Sequence, residues 1–180
     1  MANFVIDLAP LKKSRDFSLL WAAGLISYFG SMITYVAVPF QIKELTGSYV
    51  AVAISGLVEI VPLIVFGLYG GVLADALDRK KLIWVTELLS LLFTAILLIN
   101  SMMDSPNLLL IYIVSGLFAA TSGLRQPAMQ AALPRLVDHE DMTAAAALMS
   151  LRWQVGVIVG PAVGGILISS YSVAVGYAAD

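Results

Sequence analysis

Five long apolar stretches, separated by short polar joints, organise this sequence. They cover about residues 19–42, 50–73, 82–103, 108–129 and 144–170. Each is long enough for a helix to cross roughly 30 Å of hydrocarbon, which takes about 20 residues. None alternates with the two-residue period of a barrel strand. The joints are Lys43–Ser48, Asp75–Lys81, Asp104–Asn107 and Pro134–Met142. The pattern predicts an all-α fold, a polytopic transmembrane helix bundle. Residues 171–180 are apolar enough to start a sixth span, so the chain is expected to be the first part of a longer protein, truncated before its C-terminal half.

Composition agrees with a bilayer as solvent. The 180 residues are 60% hydrophobic and 12% charged, with a mean hydropathy of +0.93. A soluble domain carries about 25% charged residues; ten basic and twelve acidic side chains would leave most of a water-facing surface bare. No basic patch is available for a phosphate backbone, so nucleic acid is not an expected partner. With no cysteine and a single histidine, His139, neither disulfides nor a multi-histidine metal site is expected. His139 itself falls in a charged joint and reads as a solvated loop residue. Residues 1–10 lack the layout of a cleaved signal peptide.

Nine of the ten lysines and arginines fall on one side of the five spans. They are Lys12, Lys13, Arg15, Arg79, Lys80, Lys81, Arg125, Arg135 and Arg152; Lys43 falls on the other. Cationic joints stay in the cytoplasm, which predicts a multi-pass protein of the plasma (inner) membrane with its N-terminus inside. Asp180 is then expected outside or at the outer interface.

Span two runs into Gly70-Gly71-Val72-Leu73-Ala74-Asp75-Ala76-Leu77-Asp78-Arg79-Lys80-Lys81. Glycine lets a neighbouring helix approach closely. A carboxylate at Asp75 can meet the positive N-terminus of an opposing helix, and Arg79 and Lys80 can hold it by charge-assisted bonds. The stretch resembles the loop between helices two and three of the major facilitator superfamily: Gly71, Leu73, Ala74, Asp75, Arg79 and Lys80 match its pattern, while Ala76 and Asp78 depart from it. Span five carries Gly156-x-x-x-Gly160-Pro161-x-x-Gly164-Gly165, a flat strip with a proline that frees a backbone carbonyl. It resembles the fifth-helix motif of exporters that exchange substrate for protons. The stretches 37–42 and 125–137 are similar to the subgroup holding enterobactin exporters and macrolide efflux proteins. That family's helix-four arginine has no counterpart, because Tyr112 stands at the position.

The resemblance implies a cytoplasmic gate made by Gly71, Leu73, Asp75, Arg79 and Lys80. It also implies proton-coupled efflux of an amphipathic small molecule, a drug or siderophore, by alternating access, with the lipid bilayer, the substrate, protons and the missing C-terminal half as partners. No cofactor is expected, nor an enzyme activity: no paired acids, nucleophile–base pair or Gly-x-x-x-x-Gly-Lys segment occurs. An importer on the same scaffold and a non-transporting membrane scaffold are the alternatives. The Gly70-Gly71 and Gly164-Gly165 ends of spans two and five echo one another, as an inverted repeat requires.

Single residues are less decided. Glu59 lies fourteen positions before Leu73, roughly 21 Å along a helix. An ionised carboxylate there costs on the order of 3 kcal/mol on insertion. It is a proton-coupling acid or a glutamate that helps helices pack. Arg125 most simply snorkels to the inner headgroups; it would otherwise hold an anionic substrate group or a helix carboxylate. Glu87 is expected to pair at the interface with Lys80 or Lys81. Arg152 and Gln154 face either the cavity or the inner interface. Tyr35 on span one and Ser115 on span four are candidates for the substrate path, the alternative being hydrogen bonds between helices.

The topology has a direct check. Cysteines placed at Ser105 and Leu77 should differ in labelling by an impermeant thiol reagent on intact cells, with only Ser105→Cys reacting. Equal reaction at both sites would overturn the assignment.

Overall fold

A computed structural model describes residues 7–180, and of Ala74 and Asp75 only the backbone. Seven α-helices follow one another, with no strand among the described residues: α1 (Ala9–Lys13), α2 (Arg15–Thr46), α3 (Tyr49–Ala76), α4 (Arg79–Ser101), α5 (Leu108–Ala132), α6 (Met142–Ser170) and α7 (Val173–Ala178). Two short 3-10 turns, Leu133–Arg135 and His139–Asp141, join α5 to α6. Five of the helices are long and apolar enough to cross a membrane.

The polar joints start the helices. Ser14 accepts from the Phe17 amide, Ser48 from Ala51, Asn107 from Leu110 and Ser172 from Val175. Asp78 accepts from both Lys80 and Lys81. Each side-chain oxygen satisfies an amide that the helix cannot. Asp78, a departure from the family pattern, is thus the N-cap of α4. Helix α2 stops at Gly47, whose φ of 65° is the left-handed conformation that glycine tolerates, and its amide bonds back to Lys43.

Burial is inverted relative to a water-soluble protein. Ser31, Thr34, Gln41, Ser55, Thr86, Ser90, Thr94, Asn100, Ser115 and Thr121 are buried, while Leu57, Ile60, Leu68, Leu88, Leu91 and Ile158 are exposed. Lipid solvates the apolar outside; the polar groups turn inward to find partners.

Two parallel helix pairs hold the bundle. In the first, α5 meets α3 at backbone distance. A Cβ on Gly123 would lie 2.7 Å from the Leu63 carbonyl oxygen and 2.9 Å from the Gly67 nitrogen. A Cβ on Gly70 would lie 3.0 Å from the Gly123 oxygen, and one on Gly116 3.1 Å from Val58. In the second pair, α6 lies on α2. Gly156 faces the Tyr28 ring, Gly160 the Met32 side chain and Gly164 the Ile33 backbone. Spans two and five therefore occupy matching places, each packed through small residues on the first helix of the other triplet. In both terminal glycine pairs the first member is packed and the second, Gly71 or Gly165, faces open space. The close approach expected at Gly71 is made by Gly70.

Helix α4 runs antiparallel to α5. Ser90 meets Thr121 at 3.2 Å, and the Arg79 guanidinium donates to the Ala131 carbonyl at 2.9 Å. The same end of the bundle holds Lys13, whose ammonium pairs with Asp141 at 2.9 Å. That carboxylate holds the Lys13 ammonium above its ordinary pKa. The pair therefore persists through neutral pH, and its alkaline limit is the loss of the lysine proton.

At the other end α7 turns back into the bundle, and Tyr177 is buried. The expectation that Asp180 lies outside or at the outer interface is corrected: its carboxylate accepts from Thr34 and Thr94, halfway along α2 and α4. A carboxylate among apolar helix faces moves to the hydroxyls that can solvate it.

The glycine contacts predict a graded mutational response. Gly123→Ala should lower thermal stability in detergent by about 1–3 kcal/mol, the usual cost of overpacking, because the methyl group meets backbone that cannot rotate away. Gly71→Ala and Gly165→Ala should leave the midpoint unchanged or raise it. Equal destabilisation at all three positions would contradict the packing.

Candidate functional site: a polar core through the bundle

On α2, Ser27, Thr34 and Gln41 are seven residues apart, which is two helical turns and about 10.5 Å per step. They form one polar stripe on a helix that is otherwise mostly apolar. Glu87 and Thr94 on α4 repeat the spacing. The two stripes face the bundle interior, where polar bonds form at three levels.

The innermost level is ionic. The Arg125 guanidinium, from the C-terminal part of α5, pairs with Glu87 of α4 at 2.8 Å and donates to the Ser27 hydroxyl at 3.2 Å. Ser27 in turn donates to the second Glu87 oxygen at 2.7 Å. Glu87, half-buried, accepts two charge-assisted bonds from two other helices, the arrangement that makes a carboxylate tolerable within an apolar bundle. Arg152 of α6 lies near this triad, its guanidinium in the space over Gly24. Arg125, Glu87 and Tyr28 are near enough to act on it electrostatically.

The middle level is Asp180 with Thr34 and Thr94, alongside the Ser90–Thr121 pair. At the outer level the Tyr177 hydroxyl donates to the Gln41 side-chain oxygen at 2.8 Å. Five helices thus contribute polar groups to one core. Each hydroxyl or carboxylate here would otherwise face hydrocarbon, where an unsatisfied polar group costs several kcal/mol.

The sequence-derived candidates distribute unevenly over this geometry. Arg125 lies at its centre. Glu87 pairs with Arg125 rather than with Lys80 or Lys81, because α4 turns it to the interior, seven residues from Thr94. Glu59 is half-buried on α3 and makes no hydrogen bond or ion pair among the described residues. Ser115 is buried and donates to the Tyr112 carbonyl of its own helix at 3.2 Å. Tyr35 is 62% exposed, turned away from its neighbour Thr34. Tyr112 ties α5 to α3 through the Ala51 carbonyl at 2.8 Å. In the loop motif, Leu73 is half-buried against the Leu82–Ala128 cluster and Lys80 is exposed. The Asp75 side chain lies outside the described residues. In the α6 motif, Gly156, Gly160 and Gly164 pack on α2 beside Pro161, and Gly165 does not. Sequence reasoning passed over Gln41, Thr94 and Asp180 as members of one site. The seven-residue recurrence of polar residues was the signal that could have found them.

Residues 6–180 match the family described as transmembrane secretion effector, a branch of the major facilitator superfamily. The chain belongs to this family. Its fold is the first part of a major facilitator bundle, and its relatives are exporters. It is 33% identical over 178 residues to the enterobactin exporter EntS of Salmonella choleraesuis (strain SC-B67), covering 97% of this chain and 42% of that relative. The same exporter of Shigella boydii serotype 18 is also 33% identical over the same shares, and that of Escherichia coli O1:K1 / APEC 32%. The chain therefore spans about two fifths of the length of these curated relatives. No solved structure matches it.

The ion pair should behave as a coupled unit. Glu87→Gln leaves Arg125 buried without its counter-charge and should destabilise the bundle by on the order of 3 kcal/mol. Arg125→Gln in the same chain should recover part of that loss. A double-mutant cycle on thermal unfolding measures the coupling; additive losses would mean that the two side chains act separately.

Proposed function

We propose that these helices form the first part of a proton-coupled exporter. It would move an amphipathic small molecule, a drug or siderophore, out of the cell by alternating access. The observation that carries this reading is the polar core itself. Charged and hydroxyl groups on five helices make a path through an apolar bundle, and intramembrane ionisable groups mark substrate and ion pathways. The family and the exporters among the relatives support the direction.

In this reading the basic end of the bundle is cytoplasmic and the membrane is the inner membrane. The gate is the Asp75 loop with Gly71, Leu73, Arg79 and Lys80; the Arg79 bond to the end of α5 is the kind of link that fastens a closed inner face. The glycine strip of α6 and Pro161 allow α6 to slide and bend on α2 as the halves rock. The open faces beside Gly71 and Gly165 are available to the remaining helices. Glu59, half-buried and without a partner, is the proton-coupling acid, with Glu87 and Asp180 as the acids of the core. The chain is a transporter component rather than an enzyme: the acids serve proton binding and no substrate bond is broken.

Inside-out vesicles holding the full transporter test this reading. Substrate should drive saturable proton release from the vesicle lumen. Glu59→Gln should abolish that flux, and Asp75→Asn should reduce transport at normal expression. Export that persists without proton movement would remove the coupling. Full activity of either variant would remove that residue from the mechanism.

A further inference from the structure

The inner part of the polar core holds more cation than anion. Arg125 has its carboxylate in Glu87. Arg152 has none. Its Nε and Nη1 atoms are buried and find no hydrogen-bond partner among the described residues. The side chain is nonetheless seated: Gly24 leaves the space its guanidinium fills, because a Cβ there would collide with Nη1, and the Met129 methyl group lies near the same space. Tyr28, one turn from Gly24 on α2, packs on Gly156. Among the described residues the two guanidinium groups thus have a single partner carboxylate, and it is bonded to Arg125. Arg152 is half-buried, and its two buried nitrogens without a partner are costly; a planar fork of donors is the group that best fits an anionic oxygen pair.

We propose that Arg152, together with Arg125, forms a recognition site for an anionic oxygen group, such as a carboxylate, on the exported molecule. Tyr28, one turn along α2 from Gly24, and Met129, beside the same space over Gly24, suit an aromatic body attached to that anion. The proposal rests on the export reading and adds to it a substrate class, amphipathic aromatic acids. Glu87 then competes with the ligand for Arg125, while Ser27 is positioned to bond either carboxylate.

The test uses the 180-residue chain in nanodiscs, titrated with 1-naphthoate and with its uncharged counterpart 1-naphthamide by microscale thermophoresis. Naphthoate is expected to bind more tightly than the amide. Arg152→Gln should weaken naphthoate about tenfold and leave the amide unchanged, and Arg152→Lys should keep part of the preference. Glu87→Gln, which frees Arg125, should tighten naphthoate. Equal affinity for acid and amide, no binding of either, or an Arg152→Gln chain that keeps the preference would overturn the site. The same titration on the full transporter addresses the other occupant. Loss of naphthoate binding there would assign Arg152 to a carboxylate of the remaining helices and overturn the proposal. Transport is read separately in vesicles. Export without charge preference sinks the anion site alone; charge preference without export sinks the export reading alone.

Discussion

The rest of the structure depends on the near-contact of α5 and α3 at Gly123. With only a hydrogen in place of a side chain, the α5 backbone comes up to the Leu63 carbonyl and the Gly67 amide. In a bilayer no hydrophobic effect presses helices together, so association relies on dispersion and close fit. Glycine makes that fit possible here and, through Gly156, Gly160 and Gly164, between α6 and α2. These two parallel pairs set the distances at which every other side chain meets its partner.

That spacing decides the polar core. Once α3–α5 and α2–α6 are closed, α4 offers an interior face that carries Glu87, Ser90 and Thr94, and α7 delivers Asp180, just past its end, to the same interior. The groups are neither randomly scattered nor solvated by lipid. Glu87 bridges Ser27 and Arg125, and Asp180 bridges Thr34 and Thr94. The same dry surroundings that make these bonds strong make an unmatched group costly. Arg152, with buried nitrogen atoms lacking a partner, is therefore the place where the core is incomplete.

The two terminal glycine pairs make a further point about the architecture. Gly70 and Gly164 face inward to a neighbouring helix; Gly71 and Gly165 face outward to open space. A single residue step on a helix turns the side chain by about 100°, so a Gly-Gly pair serves two neighbours at once. One neighbour is present in this bundle. The repetition of the device on α3 and α6 is what an internal inverted repeat produces.

Much of this was legible in the residues themselves. Long apolar runs dictate transmembrane helices because an unpaired backbone cannot sit in hydrocarbon. Ser14, Ser48, Asn107 and Ser172, polar residues at the joints, mark where those helices start. The Gly71–Lys80 and Gly156–Gly165 motifs indicated the family. What the residues could not declare was which polar side chains meet. Glu87 lies within seven residues of Lys80 and Lys81 in sequence, but pairs with an arginine thirty-eight positions away. Asp180 ends the chain, yet is bonded at mid-bundle. Sequence distance along a helix determines which face a residue occupies. Which face turns to which partner is a property of helix packing, set by the glycine contacts, and only the tertiary structure decides it.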